Sequence, residues 1–472
     1  MMKQEEKSWS RRDFVRTSSA ALAATPVATF LKKPVKNMKS ELPKYFRVAS
    51  YNTTFEREQL AKAFGFKGSA THNLWQIAAR LNSAEGETAI GLGVQNPLWC
   101  DARMAGKVSE SGGNAIMYSM TERALQMIKG QQFASPMVML DEILDELLDY
   151  GKKITGQTDL RKTFALNPMV PVDNAAWLLY AKINGLANFD QLIPAQYKGG
   201  LSAKHKHVIS IPALTYGTPI EDIKKLADDG FFIMKIKIGA PGDQRMMLEK
   251  DKAFIKAIHE AIGHYETEHS PNGKIPYYFD ANGRYDKHEY LLDFLDYAEK
   301  IGALDQIAVL EEPFGERNQE DVREIASRGP RVAADESAHT VEETLARIEQ
   351  GYTAIAVKSI AKTMSMTIKI AQAAHEHNVP CFCADLTVNP ILVEWNKIVA
   401  ARLPAFPGWN MGMQETNGWQ NYKDWPGLID QYHPMGSREW VMSKNGLYDT
   451  GAGFFEHSGG IFEEIPFWEE KV

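Results

Sequence analysis

The chain has 472 residues, 44% hydrophobic and 24% charged, with a mean hydropathy of −0.33. That is long enough for two or three domains and a large core, and it excludes a disordered or multispanning chain. With 53 Lys and Arg against 60 Asp and Glu, a net charge of −7 and no long basic block, it also argues against nucleic acid as the main partner and leaves a small molecule. The three cysteines, Cys100, Cys381 and Cys383, are too few for a disulfide framework and say little about compartment.

The first segment, 1–42, reads as an export signal. Lys3 and Lys7 precede Ser10-Arg11-Arg12-Asp13-Phe14-Val15-Arg16, and a weakly apolar run over 19–31 follows. Pro26 interrupts that run, which falls short of the roughly 20 apolar residues that span a bilayer. The pattern predicts a twin-arginine signal, with Ala21-Leu22-Ala23 as one cleavage site, so the protein is expected to be periplasmic or otherwise exported through the Tat translocon in folded form. The alternative is an unstructured tail with a chance Arg-Arg pair.

Residues 43–206 predict an α+β domain. Helical periodicity occupies 121–129 and 139–148, and a further helix is expected over 172–186. Strand signals are fewer and end in Gly-rich turns, as at 88–93.

From 207 to 415 short apolar runs alternate with amphipathic stretches, the pattern of repeated βα units on a parallel sheet. Strands are expected over 208–214, 231–238, 275–280, 307–311, 332–335, 354–358 and 380–385, with a weak eighth over 405–411. Helices are expected over 244–264 and 363–375. The fold class is therefore α/β, a (β/α)8-type modified TIM barrel with an N-terminal α+β capping domain; an open doubly wound sheet is the alternative. Residues 416–472, rich in aromatics such as Trp419, Trp425, Trp440 and Trp468, are expected to pack back on the capping domain.

Chemistry gathers at the C-terminal ends of these strands, where barrel active sites form. Lys235-Ile236-Lys237-Ile238 puts two lysines on one face of a strand and isoleucines on the other. Asp280 with Asn282, then Glu311, then Asp335 end the third, fourth and fifth strands, and Lys358 ends the sixth. Taken singly, such carboxylates are turn or cap residues and Lys-x-Lys is an edge strand. Together, three converging carboxylates repel one another unless a cation with a preference for hard oxygen ligands joins them, and Mg2+ is the natural occupant. Glu312 and Glu336 each follow a proposed ligand and are expected to point to the opposite side.

In these motifs, Lys235-Ile236-Lys237, Asp280-Ala281-Asn282, Glu311-Glu312-Pro313, Asp335-Glu336-Ser337 and Lys358, the sequence resembles the enolase superfamily. Within it the likeness is to the mandelate racemase and muconate lactonizing enzyme family, in its muconate lactonizing enzyme-like subgroup. The resemblance spans most of 45–415, including a helix-like stretch over 175–193. It implies that Asp280, Glu311 and Asp335 hold Mg2+, that Lys237 and Lys358 are acid/base catalysts on opposite substrate faces, and that Lys235 is auxiliary to Lys237. There are three departures: the interval from Lys237 to Asp280 is long, with an extra polar loop expected over 266–274; the tail after Glu415 is long and aromatic, packing back on the rest of the chain or alternatively lining the site mouth; and the Asp-x-Asp pair that holds the ammonium group in the family's dipeptide epimerases is absent near the eighth strand.

The implied activity is Mg-dependent racemisation or epimerisation of a small-molecule carboxylate, by abstraction of its α-proton through a metal-stabilised enediolate. A lyase (dehydratase) or a cycloisomerase is open on the same site. A Schiff-base aldolase using Lys358 and a noncatalytic periplasmic binding protein are the other classes. Asp385 and Asn282 are candidate substrate contacts, Asp385 alternatively capping the helix after it. A homo-oligomer is left open.

Overall fold

The computed structural model describes residues 43–472 except Lys67 and Gly68; the segment expected to be an export signal lies outside the described residues. A four-stranded antiparallel sheet comes first, built from β1 (Phe46–Phe66), β2 (Ser69–Ser83), β3 (Thr88–Gln95) and β4 (Gln132–Phe133) in the order β3-β2-β1-β4. β1 and β2 are long, contrary to the expectation of few strands. β1 is largely exposed or half-buried beyond its first residues, so it lacks the apolar alternation that marks a strand with one dry face.

Three helices, Glu110–Ile128, Pro136–Thr155 and Thr163–Asn184, accompany this sheet, and the first two begin at serines whose hydroxyls cap the free N–H groups. Thr163–Asn184 lies directly on β3. A Cβ at Gly91 would stand 2.2 Å from both the Ala175 nitrogen and the Pro171 oxygen, and one at Gly93 would stand 2.5 Å from Pro171 Cδ. The glycines of 88–93 therefore do not end the strand in a turn: β3 runs on to Gln95, and they permit backbone-to-backbone contact with the helix.

The second sheet has ten strands in the order β14-β5-β13-β12-β11-β10-β9-β8-β7-β6. They are β5 (His207–Ile211), β6 (Ala213–Leu214), β7 (Met234–Lys237), β8 (Tyr277–Asp280), β9 (Ile307–Glu311), β10 (Arg331–Ala334), β11 (Ala354–Val357), β12 (Cys381–Cys383), β13 (Gly412–Glu415) and β14 (Leu447–Asp449). All neighbours are parallel except β14, which runs antiparallel to β5. Pro212, with no N–H to give, separates β5 from β6. β5 bonds to β13 and β6 bonds to β7, so the sheet curls until its first segment is held on both flanks. Ile209, Tyr278, Val309, Ala356, Phe382 and Met413 fill the inside of the curl, while Ile236, Phe279 and Leu310 pack outward.

The eighth parallel strand is displaced from its expected place. Residues 405–411 form a turn, with Gly408 at φ 98° and Asn410 at φ 54°, closed by Phe406 N–H donating to Met411 O at 3.0 Å. The strand is Gly412–Glu415, where a Cβ at Gly412 would meet Ala400 O at 2.0 Å. Between β7 and β8, the long helix Gln244–Ile262 is followed by a polar loop in which Glu266 bridges to Lys274. The segment after Glu415 reaches back to the first sheet: Gln76 Nε2 donates to Tyr422 OH at 2.8 Å, Lys423 N–H to Gln59 O at 3.1 Å, and Arg80 pairs with Glu469 at 2.9 Å.

Candidate active site

Six of the parallel strands deliver charged side chains to one cavity at their C-terminal ends. Lys235 on β7 is buried, with its Nζ 2.9 Å from Asp280 Oδ2, 2.7 Å from Glu311 Oε2 and 3.0 Å from Glu415 Oε2. Burial alone would lower its pKa, but these carboxylates outweigh that and hold it well above the usual value, so Lys235 remains an ammonium ion. Lys237, two residues on and on the same strand face, donates to Asp280 Oδ2 at 2.5 Å.

Lys358 follows β11 and donates to Asp335 Oδ2 at 2.6 Å, with Trp99 against it at 4.4 Å from ring centre to Nζ. Burial pulls its pKa down, and Asp335 more than reverses this. β7 and β11 are four positions apart in the sheet order. Lys362, one helical turn beyond Lys358, is fully buried and donates to the carbonyls of Asp335, Ala338 and Ala356 at 2.7, 3.0 and 3.1 Å.

The carboxylates differ sharply. Burial would raise Asp280, yet Lys235 and Lys237 hold it below the usual range, and Lys358 and Lys362 do the same for Asp335. Glu311 is driven well above its usual value by burial and by Asp280, which Lys235 only partly offsets. Asp385 rises to about 7 through burial and repulsion from Glu415. It does not cap the following helix, whose cap is Asn389; its two oxygens accept from the backbone N–H groups of Leu386 and Asn417 at 2.7 and 2.8 Å.

Asn282 donates from its backbone to Asp280 Oδ1 at 2.9 Å and from its amide to Glu336 Oε1 at 3.2 Å. Glu336 therefore lines the cavity beside Asp335, contrary to the expectation that it faces away; β10 ends at Ala334, so strand alternation no longer governs 335–336. Glu312 does turn aside, accepting from Asp335 N–H at 2.8 Å and Ser337 Oγ at 3.1 Å. Sequence reasoning missed Trp99, Glu336, Glu415 and Asn417 as cavity residues. Glu415 and Asn417 would have stood out had the eighth strand been placed at 412–415.

Among the described residues, no three Asp, Glu, His or Cys side chains come close enough together to hold one metal ion. Lys235 stands between Asp280 and Glu311, and Lys358 and Lys362 hold Asp335. The donor chemistry fits a divalent cation all the same. Asp280, Glu311, Asp335, Glu336, Asp385 and Glu415 outnumber the four lysines by two, and Glu311 Oε1 and Glu336 Oε2 are buried without a hydrogen-bond partner.

A curled parallel sheet with lysines and carboxylates gathered at its strand ends, beside an N-terminal sheet, defines an α/β protein. Residues 220–431 match the family described as enolase C-terminal domain-like. No curated protein matches the chain. Among solved structures, the dipeptide epimerase of Enterococcus faecalis V583, complexed with Mg and the dipeptide L-Leu-L-Tyr, is 18% identical with a TM-score of 0.58, covering 80% of this chain and 93% of its own. The L-Ala-D/L-Glu epimerase of Bacillus subtilis is 16% identical with a TM-score of 0.60, over 80% of this chain and 92% of its own. The N-succinyl Arg/Lys racemase of Bacillus cereus ATCC 14579 is 14% identical with a TM-score of 0.59, over 80% and 89%. At these identities the likeness is one of fold.

Proposed function

We propose that the protein is a metal-dependent racemase or epimerase that removes and returns the proton α to a substrate carboxylate, on a (β/α)8-type barrel with an N-terminal capping domain. The observation that carries this is the placement of Lys237 and Lys358: two amines from strands four positions apart line one cavity, each hydrogen-bonded to a strand-end carboxylate. Asp280, Glu311 and Asp335 would hold Mg2+, which when bound supplies stabilisation for negative charge developing on substrate carboxylate oxygens.

The chain's own residues do the proton work. Lys235 stays charged and offsets the carboxylates around it. Lys358 is held as an ammonium ion by Asp335, and Lys237 is paired with Asp280; a buried amine parted from its carboxylate favours the neutral form, which serves as base. The other lysine, still protonated, returns a proton to the opposite face. Elimination would use the same pair with loss of a leaving group. At the end of β13, Glu415-Thr416-Asn417 stands where the dipeptide epimerases' Asp-x-Asp pair would be sought, and Glu415 is engaged by Lys235. This favours acylated amino acids, as in the racemase neighbour's name, over free dipeptides. We also propose that residues 1–42 direct export through the twin-arginine route, on the strength of Arg11-Arg12 and the apolar run after it.

The test of the activity is exchange in D2O with Mg2+, using both stereoisomers of N-succinyl-lysine and N-succinyl-arginine, with Leu-Tyr for comparison. Deuterium should enter at the α-carbon of both isomers, Lys237→Ala and Lys358→Ala should each abolish exchange from one isomer only, and Glu311→Gln should weaken Mg2+ binding. Exchange that survives loss of both lysines refutes the assignment.

A further inference from the structure

We infer that Trp99, from the N-terminal part of the chain, is a positioning residue that fixes the Lys358 ammonium group for proton transfer; this rests on Lys358 being one of the two bases. Trp99 sits in the short helix Pro97–Cys100 that follows β3, and it is 6% exposed. Its place is set without help from Lys358. The Asn96 side chain accepts the Trp99 N–H at 3.1 Å, and Asn96 N–H donates to Asn167 Oδ1 at 3.2 Å. Thr163 Oγ1 donates to Cys100 O at 2.7 Å. Arg161 joins this turn to the segment after β10, donating to Trp99 O at 3.5 Å and to Glu336 O at 2.6 Å.

A lysine amine ends a chain of rotatable bonds, so one hydrogen bond leaves its position loosely defined. Lys358 Nζ has two holds: Asp335 Oδ2 at 2.6 Å and the Trp99 ring centre at 4.4 Å. The indole N–H has no hydrogen-bond partner, so what Trp99 offers is its ring rather than a hydrogen bond. A desolvated contact of this kind contributes enough for an effect of about 30-fold when it is lost. Phe keeps an aromatic face and Leu keeps only bulk, so the two replacements separate the electrostatic hold from mere filling.

Two measurements decide it. In protein labelled with 13C at lysine Cε, the Lys358 signal, assigned by its loss in Lys358→Met, should lie upfield through the ring current. It should move to the ordinary lysine position in Trp99→Leu and only part of the way in Trp99→Phe. An ordinary Lys358 position in the unaltered protein overturns the contact. In α-proton exchange with both stereoisomers of N-succinyl-lysine, Trp99→Leu should slow the isomer served by Lys358 by about 30-fold in kcat, with little change in KM, and slow the Lys237 isomer far less. Equal slowing of both isomers, or none, overturns the positioning role. If the unaltered protein exchanges neither isomer, the racemase reading is what fails, and the lysine spectrum still decides whether Trp99 holds Lys358.

Discussion

Asp173 offers a prediction that needs no substrate. It lies fully buried on the helix Thr163–Asn184 and accepts hydrogen bonds from the Ser365 hydroxyl at 2.5 Å and the Ser365 N–H at 3.0 Å, while Trp177 Nε1 donates to the same hydroxyl at 3.0 Å. Ser365 lies in the first turn of the helix Met364–Glu376, after Lys358, so this contact ties the N-terminal part of the chain to a helix between β11 and β12. Burial raises the Asp173 carboxyl from 3.8 to about 6, although the bonds from Ser365 pull it down. Between about pH 4 and pH 6 the native protein keeps a proton that the unfolded chain has released, so folding stability must fall as pH rises through that window. A displacement of about two pH units corresponds to about 3 kcal/mol. The assay is urea unfolding of the wild type and Asp173→Asn at pH 4, 5, 6 and 7, taking the difference at each pH so that other groups cancel. Wild type minus variant should drop by about 2 kcal/mol from pH 4 to pH 7, the rest of the displacement falling below pH 4. A difference that is flat or rises with pH refutes the reasoning.

Gly91→Ala should destabilise the protein by about 3 kcal/mol or more, seen as a lowered thermal midpoint, because its Cβ would meet Ala175 N and Pro171 O, backbone atoms that cannot rotate away. A midpoint within a degree of wild type would mean that the helix is not seated on β3 as described. Replacing both Arg11 and Arg12 by Lys should retain the protein in the cytoplasm, read by fractionation, and continued export of the double variant would exclude the twin-arginine route.

Legibility followed burial. β8 to β11 were readable because each is a short apolar run that ends in a charged residue or is followed at once by one, a pattern that survives without knowledge of neighbours. Lys235 and Lys237 stood out because isoleucines alternate with them on a strand whose other face packs outward. β1 escaped because its exposure leaves no apolar period, and β13 because Gly412, needed beside Ala400 O, looks like punctuation while the apolar Phe406 and Trp409 belong to the turn before it. Trp99 and Glu336 were illegible for a different reason. Trp99 comes from a distant stretch of chain that only folding brings to Lys358, and the direction of Glu336 depends on where β10 stops. Periodicity describes side chains within an element and is silent just past its end, which is where this cavity lies.

The backbone around the cavity shows what keeps those strand-end loops in place. Asn282, Glu312 and Thr387 follow the third, fourth and seventh parallel strands and adopt φ of 46°, 41° and 58°. Asn tolerates this region, whereas Glu and Thr do so at a cost of about 1–3 kcal/mol each, which persists only when surrounding bonds over-determine the conformation. They do so here. Asn282 bonds to both Asp280 and Glu336, so the turn orients two carboxylates of the cavity at once. Glu312 gives its N–H to Ala333 O and takes the Gly283 N–H on its carbonyl, while its side chain receives the Asp335 N–H; the conformation that turns Glu312 away thus sets the chain direction at Asp335. Thr387 donates to Asn417 Oδ1 at 2.7 Å, and its carbonyl accepts from Tyr422 OH at 2.8 Å, which in turn is bonded by Gln76 of the first sheet. Each strained residue passes its constraint to a neighbouring strand end, and the last is anchored outside the curled sheet. The charged side chains therefore share one hydrogen-bonded rim, and loosening the first sheet should disturb the cavity through Tyr422 and Thr387 before it disturbs the parallel strands beneath.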